Sequence, residues 1–136
     1  MLSPAVKIFL CAQATDMRRS FDKLAEMTRS ILAQDPFSGH LFVFFNRPRD
    51  RVKILFWDRS GFCLYYKRLE SGAFRVPKLA DGRVQIDAAE LALILEGIDL
   101  AGSTWQKDFH FRAEFLHFFS TEKRRYFTYD ATPFAR

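Results

Sequence analysis

Leu41-Phe42-Val43-Phe44-Phe45, Val52-Lys53-Ile54-Leu55-Phe56-Trp57 and Phe62-Cys63-Leu64-Tyr65-Tyr66-Lys67-Arg68-Leu69 follow one another closely, and their spacing decides the fold. The first run is wholly apolar, which predicts a strand buried on both faces. The second combines β-branched and aromatic residues and the third is rich in aromatics, side chains that fit a pleated surface. Asn46-Arg47-Pro48-Arg49-Asp50 and Asp58-Arg59-Ser60-Gly61 separate the runs. Both are short and built of turn formers, so the three strands are expected to form an antiparallel meander.

On the N-terminal side, the mostly apolar stretch Val6 to Cys11 reads as a first strand. Met17, Phe21, Leu24, Thr28 and Ile31 then recur at helical spacing after Thr15 or Asp16 as N-cap, predicting a helix over residues 16–33. Asp35-Pro36-Phe37-Ser38-Gly39 ends it, since Pro36 disfavours helix at the residue before it and Gly39 permits a tight turn. On the C-terminal side, Phe74 to Pro77 and Arg83 to Ile86 suggest further strands. Asp87 and Glu90 have capping-box spacing ahead of the apolar run Leu91 to Leu95, and Gly97 supplies a stop. The expected order is β-α-β-β-β-β-α: a single α+β domain, with an antiparallel sheet and its helices on one face. The domain is expected to occupy residues 1–99. Residues 100–136 carry Trp105, Phe109, Phe111, Phe115, Phe118 and Phe119 as an aromatic extension, expected to dock on that domain or to seek a partner, a second copy included.

Sixteen phenylalanines in 136 residues provide the apolar area for a dense core without metal or disulfide. Cys11 and Cys63 both lie in apolar runs and read as small core hydrophobes. The first ten residues lack the form of a signal peptide, and no run reaches the roughly 20 apolar residues of a membrane helix. A cytoplasmic protein without membrane contact is expected. Net charge is +5, and its distribution is uneven. Residues 47–83 hold ten Lys/Arg against four Asp/Glu, whereas residues 84–136 hold six against eight. A local basic stripe attracts phosphate or an acidic protein surface.

That stripe falls on the central hairpin. Side chains alternate along a strand, so Arg51, Lys53 and Trp57 share one face of the second run, and Tyr65 and Lys67 are expected beside them. With Arg47, Arg49 and Arg59 in the flanking turns, cations stand next to rings, as a nucleic-acid surface requires. A solvated sheet face, with Lys and Arg stems covering aromatic rings, explains the same pattern. His110, Glu114 and His117 would share one face of a helix, but their spacing is a weak metal signal, and an exposed polar stripe explains it equally well. Asp16, Asp35, Asp50 and Asp58 sit where caps and turns want Asp, rather than in a two-metal nuclease cluster. Neither a Gly-x-Ser-x-Gly elbow nor a phosphate-binding Gly loop is present. No catalytic residue, metal or cofactor is therefore expected.

Four stretches carry a resemblance to a known family: Thr15-Asp16-Met17-Arg18-Arg19-Ser20-Phe21-Asp22-Lys23-Leu24, Asp35-Pro36-Phe37-Ser38-Gly39-His40-Leu41-Phe42-Val43-Phe44, Arg51-Val52-Lys53-Ile54-Leu55-Phe56-Trp57-Asp58 and Tyr66-Lys67-Arg68-Leu69-Glu70-Ser71-Gly72-Ala73-Phe74. Over about residues 5–99 the chain resembles the TnpB accessory proteins of bacterial insertion sequences of the sixty-six family. The RNA-guided nuclease that shares the TnpB name is unrelated, and the motifs of that enzyme are absent here. The resemblance implies a non-catalytic accessory protein of DNA transposition, working with the transposase of the same element, and it transfers no functional residue. Members of this family end soon after the motif matched by Leu95-Glu96-Gly97-Ile98-Asp99, with a short basic tail, so residues 100–136 depart from the pattern. Two functions follow as expectations. One is DNA binding through Arg47, Arg49, Arg51, Lys53, Trp57, Arg59, Tyr65 and Lys67. The other is a protein-interaction module that organises the transposase without touching DNA.

Overall fold

The computed structural model describes residues 6–78 and 84–97. Its elements are β1 (Ile8–Cys11), α1 (Phe21–Ser30), β2 (Leu41–Phe45), β3 (Arg51–Asp58), β4 (Gly61–Arg68), β5 (Gln85–Ile86) and α2 (Ala88–Leu95). They form an α+β domain around one five-stranded sheet of order β4-β3-β2-β1-β5. The meander is as the turns dictate, with β2–β3 and β3–β4 both antiparallel. The sheet is not wholly antiparallel, because β1 and β2 run parallel, Ile8 opposite Leu41 and Cys11 opposite Phe44. Two parallel neighbours need a crossover, and α1 provides it.

The helices take opposite faces of the sheet, not the single face expected. On one side Phe9, Cys11, Phe42, Phe44, Leu55 and Leu64 pack with Leu24, Ala25, Met27 and Leu32 of α1 and the residues after it. On the other, Ile8, Leu10, Val43, Phe45, Ile54, Phe56 and Tyr65 pack with Leu91, Ala92, Ile94 and Leu95 of α2. All five residues of β2 are buried, so large apolar side chains point both ways and each face needs a cover.

Three local expectations change for identifiable reasons. α1 begins at Phe21 rather than near residue 16, because Asp16 forms a turn of its own. Its carboxylate accepts from the Arg18 N–H at 2.9 Å, and its carbonyl accepts from the Arg19 N–H at 3.0 Å. The buried stripe of α1 is Leu24, Ala25, Met27 and Thr28, which leaves Phe21 and Ile31 exposed at the margin. Residues 74–77 do not form a strand. Phe74 instead donates its N–H to the Arg49 carbonyl at 2.7 Å and lays its ring 5.6 Å from that of Phe45.

At α2 the sequence signal is realised in full. The Asp87 carboxylate accepts from the Glu90 N–H at 2.7 Å, and the Glu90 carboxylate accepts from the Asp87 N–H at 2.9 Å. Gly97 closes the helix at φ 75°, a left-handed conformation that glycine adopts without steric cost. With only eight residues, α2 relies on packing and caps rather than on its own propensity. Residues 98–136, with the aromatic extension and the His110, Glu114 and His117 grouping, lie outside the described residues. Replacing Asp87 by Ala is expected to lower stability by about 1 kcal/mol, the typical worth of an N-cap. Urea unfolding with an unchanged slope is the measurement; no shift in midpoint would show the cap to be idle.

Candidate functional site

Register separates the hairpin residues that sequence reasoning grouped. β3 pairs with β4 so that Lys53 lies opposite Tyr66, Ile54 opposite Tyr65 and Val52 opposite Lys67. Directly opposed residues share a face. Tyr65 and Lys67 therefore stand on the α2 side, not beside Arg51 and Lys53, and it is Tyr66 that takes the place expected of them. Tyr65 is buried in the α2-side core, and burial pushes its phenol well above the ordinary value. Lys67 donates its ammonium to the Leu95 carbonyl at 3.1 Å, placing a cation at the C-terminal end of α2.

Lys53 is the larger correction. It is only 6% exposed. Its ammonium donates to the carbonyls of Met17 at 2.7 Å and Arg19 at 2.8 Å, and lies 4.7 Å from the centre of the Tyr66 ring. Three donors thus meet two carbonyls and one π face. Desolvation lowers the Lys53 pKa, with the more distant Asp16 opposing the shift. A side chain so enclosed cannot face phosphate. It fastens the 16–20 turn to the sheet and so sets where Arg19 stands.

The remaining candidates divide between the two ends of β3, about 20 Å apart at roughly 3.3 Å per residue. At one end, Trp57 is half-buried in a ring trio with Phe37 and Phe62, centroids 5.0 to 5.2 Å apart, and Phe37 is 48% exposed. Arg29 lies 5.8 Å over the Phe37 ring. Arg59 is exposed in the adjoining two-residue turn.

At the other end the chain builds a cleft of about 510 Å3. Gln13, Ala14, Thr15, Asp16, Met17 and Arg19 come from the loop after β1, and Asn46 and Arg47 from the turn after β2. Arg51 opens β3, while Met27 and Ile31 contribute an apolar wall. A recess of about 190 Å3 shares Gln13, Ala14, Asn46 and Arg47 with it and adds Arg49. The location has a topological cause. Parallel β1 and β2 end side by side, so the loops leaving their carboxyl ends are brought together, as in other sheets with parallel neighbours.

The walls are held by hydrogen bonds. The Thr15 N–H donates to the Phe45 carbonyl at 2.8 Å, tying the first loop to the end of β2. The Asn46 side chain accepts from the Arg51 N–H at 3.0 Å and donates to the Asp50 carboxylate at 2.6 Å. Arg51 donates to the Tyr66 hydroxyl at 3.2 Å. The cleft is electrostatically one-sided. Its carboxylate, Asp16, is taken by the guanidinium of Arg18 at 2.6 Å. Among the described residues, Arg19, Arg47, Arg49 and Arg51 have no carboxylate within ion-pair distance. Nor is there, among those residues, a group of three or more His, Cys, Asp or Glu able to hold a metal ion. No helix of the described residues is long and apolar enough to cross a membrane.

Arg19, Asn46, Met27 and Ile31 were not among the sequence candidates. The signal that could have found Arg19 was topological, since a helix between two adjacent strands implies parallel pairing and a shared carboxyl end.

Fold and cleft together define a small α+β domain that presents an arginine-lined concavity at one edge of its sheet. Residues 6–104 match the family described as IS66 Orf2-like protein. The chain belongs to that family. It is similar to the uncharacterized protein y4jC of Sinorhizobium fredii (strain NBRC 101917 / NGR234), at 36% identity over 101 residues, covering 73% of this chain and 86% of that protein. The uncharacterized protein y4hO of the same strain is 37% identical over 94 residues, covering 69% of this chain and 82% of its own. No solved structure matches the chain.

Two outcomes are expected here. Replacing Lys53 by Ala leaves the Met17 and Arg19 carbonyls without their donor and should cost about 1–3 kcal/mol, more than Arg49→Ala at the surface. Equal midpoints for both variants in chemical denaturation would remove Lys53 from its supporting role. The Arg18 hydrogen bonds hold the Asp16 carboxyl at about 2 instead of 3.8, so its contribution is complete above 3.8 and is lost as pH falls through 2. Carboxyl NMR titration should move this midpoint back toward 3.8 in Arg18→Ala.

Proposed function

We propose that this protein is a non-catalytic accessory factor of DNA transposition. In this reading it holds nucleic-acid backbone against Arg47, Arg49 and Arg51, joined by Arg19. Trp57 and Arg59 make a separate contact, and the transposase of the same element is its partner. The observation that carries the proposal is the convergence of four arginines, unmatched by carboxylates among the described residues, around one cleft and its recess. Membership of the IS66 Orf2-like family supports the role in transposition.

Backbone conformation supports the same reading. Arg49 and Arg59 lie at φ 60° and 54° in the turns that flank β3. Left-handed backbone is unfavourable for an L-residue other than glycine, by roughly 1–2 kcal/mol in regular structure. Glycine is the undemanding residue at both positions, and arginine stands at each. Ala33 shares this conformation at φ 54°, so what supports the reading is the arginine side chain at both hairpin turns and not the backbone angle alone. Of the candidate acids, Asp16 by contrast has a structural duty: its carboxylate organises its turn and pairs with Arg18.

A second reading has its own observation. The Phe37, Trp57 and Phe62 trio, with Phe37 nearly half exposed, suits a protein partner as well as a base. On that reading the protein organises the transposase without touching DNA.

Binding to a labelled oligonucleotide, followed across salt concentrations, tests the first reading. Affinity should fall with a log–log slope of about −0.9 for each duplex phosphate neutralised. Arg47→Ala and Arg49→Gly should each flatten that slope, while Arg49→Gly leaves stability unchanged or higher because the left-handed turn is relaxed. An affinity indifferent to salt and to both substitutions would exclude the arginines as a phosphate contact. Recovery of transposase from cells after nuclease treatment, with DNA binding absent, would select the second reading.

A further inference from the structure

The cleft is shaped for less than a duplex. We propose that it takes a single unpaired nucleotide of a DNA strand, with the phosphate against Arg19, Arg47 and Arg51 and the base against Ile31. This rests on the reading that the arginines hold nucleic-acid backbone, and it specifies which form of DNA they hold.

Shape is the first reason. Proteins that read duplex DNA insert a convex element, a helix or a two-stranded ribbon, into the major groove. Here the cations surround a concavity of about 510 Å3. That volume lies within the range of about 300–1,000 Å3 typical of small-ligand sites. A nucleotide enters such a space, whereas the body of a double helix does not.

The lining is the second. Its lining includes three arginines from three segments, the loop after β1, the turn after β2 and the start of β3, along with Asp16, whose carboxylate pairs with Arg18. It also includes Met27 and Ile31 of the α1 segment, and Ile31 is 38% exposed despite being fully apolar. An inorganic anion has no use for the apolar wall, and an aliphatic ligand has none for the arginines. A nucleotide is amphipathic in this same sense, with an anionic phosphate at one end and a flat base at the other. Met27, four residues earlier, is buried in the α1-side core, so Ile31 is the apolar side chain on which a base can lie. Guanidinium forks suit phosphate oxygens through paired N–H donors.

Rigidity is the third. The Thr15 to Phe45 bond and the Asn46 bonds to Arg51 and Asp50 hold two of the walls. Lys53, through the Met17 and Arg19 carbonyls, holds the third. A cleft formed before the ligand arrives loses less entropy on binding.

The test compares fluorescence anisotropy of the full chain with a labelled single strand and with a blunt-ended duplex of equal phosphate number, each at low and at physiological salt concentration. The strand should bind more tightly by about tenfold, the factor that corresponds to about 1.4 kcal/mol. Ile31→Asn changes no charge and should bring the strand down to the level of the duplex while leaving the duplex unchanged. The retained duplex affinity also reports that the variant is folded. Arg47→Ala should weaken both. Equal affinity for strand and duplex, or equal loss of both in Ile31→Asn, would overturn the unpaired-nucleotide site while leaving the arginines as a backbone contact. Absence of salt-dependent binding to either form would overturn that underlying reading as well.

Discussion

Complete burial of Leu41–Phe45 governs the architecture. Phe42 and Phe44 point to one side of the sheet and Leu41, Val43 and Phe45 to the other, so neither face can be left in water. At about 25 cal/mol per Å2 of apolar area, uncovering either row would cost several kcal/mol, a large share of the stability of a domain this size. The chain covers the first face with the α1 crossover and the second with α2. The crossover makes β1 and β2 parallel, and parallel neighbours end together. A place for polar side chains is thereby created at their carboxyl edge, outside the packed layers. The cleft is a consequence of the way the central strand is buried.

Much of this was legible in advance. The meander, its turns, the element order and the capping box of α2 all depend on local chemistry: alternation, turn formers and a Ser/Thr/Asp cap three residues before Glu. The faces taken by the helices were not legible, because periodicity shows that a helix is amphipathic without saying which side of a sheet it meets. Phe21 and Ile31 show a finer limit. Both fit the apolar period of α1, yet the stripe is turned toward Ala25 and Met27, and they are left at its margin. Tertiary fit decides between neighbouring stripes that sequence spacing cannot separate.

The candidate site was legible as a composition and not as a geometry. Arg47, Arg49 and Arg51 follow from the charge distribution and lie together around the cleft and its recess. Tyr65 and Lys67 lie on the face opposite to the one expected because side-chain phase across a hairpin depends on register, and a shift of one residue reverses it. The two-residue turn at Arg59 and Ser60 sets that register, pairing Asp58 with Gly61. Arg19 was missed because it joins the others through the parallel crossover, a relation between segments that are remote in sequence.

The structure also divides labour between the two kinds of cation on the hairpin. Lys53 and Lys67 both direct their ammonium groups to backbone carbonyls, one at the start of α1 and one at the end of α2. Arg47, Arg49 and Arg59 stand in turns instead, and Arg51 opens β3 from the edge of the cleft. The distribution follows from the chemistry of the groups. A compact ammonium with three divergent donors satisfies carbonyls that converge on a point, as those of Met17 and Arg19 do. A guanidinium is planar and weakly hydrated, and offers its donors in a fixed fork, so it is better matched to an external oxyanion than to a scattered set of carbonyls. Total charge in this part of the chain therefore overstates the charge that its surface presents. The lysines of the hairpin hold helices and loops in place, and the arginines are what that scaffold presents.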